Sequence, residues 1–135
     1  MLKKGYIKKA IRSLTNYAYN ELYVLVEFIE DSQECSFGPD YKDDYDPELV
    51  GDIEIGEDLK TEEKYYALIH EIGHAILHYE EREPENVVLL ETACWIEGLK
   101  KAKELGLEVN EYEFAKQMFH ALDLYRTANM SDSTT

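Results

Sequence analysis

The chain has 135 residues, 44% hydrophobic and 32% charged, with two cysteines, enough for one domain with a sizeable core and too few thiols for a disulfide scaffold. Its 14 Lys and Arg face 29 Asp and Glu, a formal charge of −15. Five bases (Lys3, Lys4, Lys8, Lys9, Arg12) lie in residues 1–12, leaving nine bases against 29 acids, a net of −20, over the rest, a balance that disfavours phosphate-backbone binding by the body of the protein.

The opening residues MLKKGYIKKA contain no apolar signal-peptide run, and no segment approaches the roughly 20 apolar residues of a bilayer span. The expectation is a cytoplasmic protein with no nucleic-acid or membrane partner. From Tyr6 to about Leu22, apolar residues at Tyr6, Ile7, Ala10, Ile11, Leu14, Tyr17 and Ala18 predict an amphipathic helix with its lysines outward. Leu22–Ile29 reads as a buried strand. Residues 31–47 read as a loop whose Asp40, Asp43, Asp44 and Asp46 lack the ligand spacing of a calcium loop and are expected to be solvated.

Gly51–Gly56 alternates polar and apolar residues, as a half-exposed strand at a sheet edge does. Thr61, as a capping hydroxyl, followed by Glu62 and Glu63 opens a helix that should run through His78, with Pro84 beyond its end. Asn86 to about Leu105 is a second such helix, broken at Gly106. Glu111 to about Ala128 is a third, carrying Phe114, Met118, Ala121, Leu122 and Tyr125 on its apolar stripe. Residues 129–135 are expected to be a flexible tail, and 1–128 one domain.

The first of these helices contains ALIHEIGHAILHY, in which His70, Glu71 and His74 form His-Glu-x-x-His. Helical residues four apart share a face at about 5–6 Å, so both imidazoles can reach one tetrahedral ion. Glu71, about 100° round the axis, cannot easily join them as a ligand, but it can reach a water on the metal. Zinc lowers the pKa of such a water to about 7, and a neighbouring carboxylate can take its proton and pass it to a leaving amine. His78 lies too far along for the same ion, since three histidines at this spacing span about 12 Å.

A third protein ligand is expected from the next helix, where Glu91, Cys94 and Glu97 are the candidates. Glu91 is favoured because an unpaired carboxylate in the apolar run VVLLETACW would be costly. Cys94 reads better as a small buried residue and Glu97 as a solvated one. His120, Tyr65, Tyr66 and Tyr79 are further candidates for stabilising an oxyanion, and Cys35 for capping an open metal position.

His70, Glu71, His74 and the later Glu91, Cys94 and Trp95 resemble the gluzincin pattern of zinc metallopeptidases. Together with GDIEIGEDL, KTEEKYYALIHEIGHAILH and His78, they are most similar to the ImmA/IrrE-type peptidases of phages and bacteria, over about Gly51 to Gly98. The resemblance implies a small zincin-like α+β domain, a short antiparallel sheet packed on the metal helix, one zinc per chain held by His70, His74 and Glu91, Glu71 as general base, and limited proteolysis of a regulatory protein. Trp95 departs from it, standing where such families often carry an Asp or Asn that orients a ligand histidine. The substrate would be a peptide or protein pairing with a strand edge, basic residues being favoured by the acidic surface. The alternative is a non-catalytic, zinc-stabilised acidic protein that occupies a basic partner, as a phage-type inhibitor would.

Overall fold

The computed structural model describes residues 2–133 of the chain. The elements run α1 (Lys4–Tyr17), one π-turn (Ala18–Leu22), β1 (Val24–Ile29), β2 (Cys35–Gly38), β3 (Gly51–Gly56), α2 (Thr61–Tyr79), α3 (Val87–Glu104) and α4 (Glu111–Ser133). This is an α+β architecture, with a small three-stranded sheet and four α-helices.

Amphipathic α1 buries Ile7, Ala10 and Leu14 and leaves Lys4, Lys8, Lys9 and Arg12 exposed. The expected helix to Leu22 is really two pieces, because the last turn widens to a π-turn and Tyr23, in the left-handed region at φ 58°, swings the chain into β1.

The sheet is mixed rather than antiparallel. Its strand order is β1-β3-β2, with β1 parallel to β3 and β2 antiparallel to β3. Gly51–Gly56 is therefore the central strand, not an edge. Its alternation correctly marks one buried face, since Ile53 and Ile55 are fully buried and Glu54 is exposed, but alternation within a strand carries no information about its neighbours. β2 interrupts the segment expected to be one loop; its four residues, CSFG, are too few to show a period and gain their geometry from pairing with β3.

Helix α2 lies at the centre, touching the other three helices, β2 and β3. Its run YYALI is buried on all sides, which explains why it is apolar nearly all round rather than along one stripe. Glu62 and Glu63 occupy its first turn as expected, but the cap is Lys60 and no side chain closes it, so Thr61 is the first helical residue. At α3, Asn86 does cap, its side chain accepting from the backbone N–H groups of Val88 and Leu89.

Helices α2 and α3 touch backbone to backbone. A Cβ on Gly73 would stand 1.8 Å from the Cys94 carbonyl oxygen, and one on Gly98 would stand 2.0 Å from that of Ile69. Only hydrogen fits at either position. Helix α4 runs on past Ala128 to Ser133, into the segment expected to be a tail, of which residues 134 and 135 lie outside the described part of the chain. Among the described residues, no helix is long and apolar enough to cross a membrane.

Candidate metal centre

Helix α2 carries His70 and His74 one turn apart on a single face, which places their ring centroids 4.7 Å apart. Donor atoms of His70, Glu71 and His74 lie within 4.8 Å of one another, and this group can hold a metal ion. The close helix crossing brings α3 in behind it, so that Glu91 Oε2 meets both imidazoles, 2.8 Å from His70 Nε2 and 3.0 Å from His74 Nε2. Glu71 lies on another side of the His70 ring, its Oε2 3.7 Å from Nδ1. The two carboxylates thus address different edges of the same imidazole.

These acids are deeply placed: Glu71 is 4% exposed and Glu91 6%. Burial raises the Glu71 carboxyl above its ordinary value against the pull of His70 and His74. Burial pushes Glu91 the same way, but hydrogen bonds from His70 and His74 outweigh it and hold Glu91 well below the usual carboxylate range. Burial works to lower His74, yet its hydrogen bonds with Cys94 and Glu91 push it up to about 10.

Cys94 is fully buried against His74, and burial pushes its thiol up. Trp95 stacks on His70 with centroids 4.2 Å apart and planes within 5°. Glu97, expected to be solvated, is partly exposed and accepts from the Arg82 guanidinium at 2.8 Å. His78 pairs with Glu83 at 2.9 Å and meets Phe37 edge-on, outside the cluster.

The hydroxyls of three tyrosines considered from sequence are engaged elsewhere. Tyr65 donates to the Glu108 carbonyl, Tyr66 to Glu62 and Tyr79 to the Val50 carbonyl. The tyrosine that reaches the cluster is Tyr125 of α4. Burial raises its phenol first, then the Glu91 charge beside it and a hydrogen bond to that carboxylate, up to about 12. Sequence periodicity places Tyr125 on the apolar stripe of α4 without indicating what that stripe faces.

A groove of about 930 Å³ leads to His70. Its floor is the α2 face of Tyr66, Ala67 and His70, one wall is α4 with His120 and Leu124, and the other begins at Cys35 of β2. Burial raises the Cys35 thiol, with the nearby Glu71 charge adding to the effect.

Two imidazoles and a carboxylate whose donor atoms converge, with no Lys or Arg paired to Glu91 among the described residues, form a nitrogen–oxygen donor set that fits a small divalent cation. No protein-family model, curated protein or solved structure matches the chain.

Proposed function

We propose that the chain is a zinc-dependent endopeptidase of the zincin type, carrying out limited proteolysis of a regulatory protein. The observation that carries this reading is the meeting of His70 and His74 Nε2 on one oxygen of Glu91, with Glu71 buried beside them and an open groove reaching His70. His70, His74 and Glu91 would hold one zinc ion, which supplies Lewis acidity to oxygen atoms in the site.

The chain's own groups do the rest. With Glu91 as the third ligand Glu71 is free to act as a base, and its burial favours proton uptake; it takes a proton from the attacking water and returns it to the leaving amine. Tyr125, a neutral phenol at physiological pH, donates a hydrogen bond to the oxyanion as it develops. The substrate lies in the groove as an extended segment, pairing along β2, which has β3 on only one side. Near His70 the groove is apolar, with Ala67, Trp95 and Leu124, and its rim mixes Lys60 and Lys116 with Glu62, Glu63 and Glu113. The net acidity of the whole chain therefore guides approach more than it selects the residue beside the scissile bond.

The test compares new protein N-termini in cells expressing either the natural chain or Glu71→Gln, both shown to be folded and zinc-loaded. Termini present only with the natural chain support the peptidase, and the loss of the base is expected to slow cleavage by about 10²–10⁴-fold. Identical profiles overturn it and favour a zinc-stabilised acidic binding protein.

A further inference from the structure

We propose that Trp95 is a positioning residue for the metal centre, its indole face fixing the plane of the His70 imidazole and supporting the positive charge that the ring takes on when a cation binds. The inference rests on the metal reading above and adds a residue to it. A ligating histidine ordinarily has its second ring nitrogen tied to a carboxylate, carbonyl or water, which sets the ring's orientation. At His70 no protein group among the described residues supplies that tie: Glu71 comes no closer to Nδ1 than 3.7 Å, beyond hydrogen-bonding reach, while Nε2 is taken up by Glu91.

What holds the ring is the stack. The His70 and Trp95 planes lie within 5° at 4.2 Å, and Trp95 is itself 3% exposed. Phe114 of α4 meets Trp95 edge-on at 5.4 Å and Tyr66 edge-on at the same separation. Four rings therefore run Tyr66, Phe114, Trp95, His70, starting and ending on α2 and passing through α4 and α3. Glu91 and Trp95 are one turn apart on α3, so the same helix face meets His70 at its edge with a carboxylate and on its face with an indole. A ring bound to a cation is electron-poor, and an electron-rich indole in a dry setting attracts it. His74 has no such parallel stack among the described residues; it meets the His70 ring edge-on and hydrogen-bonds with Glu91 and Cys94. The two imidazoles are held by different physical means.

Trp95 is the only tryptophan in the chain, so replacing all tryptophan biosynthetically with mono-, di- and trifluorotryptophan changes this residue alone and hardly alters its size. Zinc affinity of the full chain, read by competition with a chromophoric chelator, is expected to fall stepwise with fluorination while the thermal midpoint of the metal-free protein stays constant. Trp95→Leu, which removes the face, is expected to weaken zinc binding by about ten- to hundredfold, with Trp95→Phe recovering part of the loss. Equal zinc affinity across the fluorine series overturns the proposal, whether or not the leucine variant folds. A natural chain that binds no zinc overturns the metal reading and this inference with it.

Discussion

The α2–α3 pair and helix α4 both border the candidate site, and they are built to opposite standards. The first pair is locked, because at Gly73 and Gly98 the backbone of one helix lies directly on the other, and His70, His74, Glu91, Cys94 and Trp95 all sit within that contact. Helix α4 is anchored at one end by buried Phe114 and by Gln117 donating to the Glu63 carbonyl at 3.1 Å, whereas further along Phe119 and Leu124 are 64% and 65% exposed. The contrast fits the demands that the proposed function would place on each part. Donor atoms must be fixed to within a fraction of an ångström, while a groove wall must admit a chain and release it.

The sharpest way to break this contrast is Gly73→Ala. The added methyl meets a backbone carbonyl that cannot rotate away, so the helices must part, at a cost of about 3 kcal/mol or more. Denaturant unfolding should show that loss together with loss of zinc binding; near-natural stability would mean the crossing is not locked.

Next in size is a pH effect within the locked part. With its pKa pushed up to about 10, His74 carries a proton at neutral pH when no metal is bound, and a ligand must be neutral. Raising the pH toward that value removes the competing proton, so zinc affinity should increase by about tenfold per unit, or about a hundredfold between pH 6 and 8. Calorimetry in buffers of different ionisation enthalpy should count at least one proton released per zinc bound; zero release would contradict the hydrogen bonding described for His74.

Tyr125→Phe tests the looser part. Removing a rigid donor to an oxyanion costs about 10²–10³-fold in turnover. On a wall with exposed neighbours the expected loss is smaller, about tenfold in kcat with KM little changed, measured on a cleaved peptide once one is known. The smallest effect should come from Leu124→Ser, which is expected to shift stability by no more than about 0.5 kcal/mol while altering which substrates are cleaved.

What the sequence discloses follows the same division. The three later helices and the central strand can be placed from period, first-turn acids and glycine or proline breaks, because those signals are local. Glu91 stands out because a carboxylate inside VVLLETACW needs a partner to justify its burial. The mixed strand order, β2 and the reach of Tyr125 do not stand out, since each depends on which element lies beside which, and a period specifies only a face. Trp95 shows the same limit: its spacing from Glu91 puts it on the inner face of α3, but nothing in the chain says that an imidazole lies flat against it.

The place of β3 between β1 and β2 also has a consequence for synthesis. A chain emerging from the ribosome carries the first two strands well before the one that joins them, and they cannot pair with each other in the final arrangement because the middle position belongs to β3. Until Gly51–Gly56 has been made, the nascent protein has strand-forming segments but no native sheet, and α2 and Glu91 follow later still. The candidate metal centre is thus assembled late, after the strands of the earlier half have found their partner.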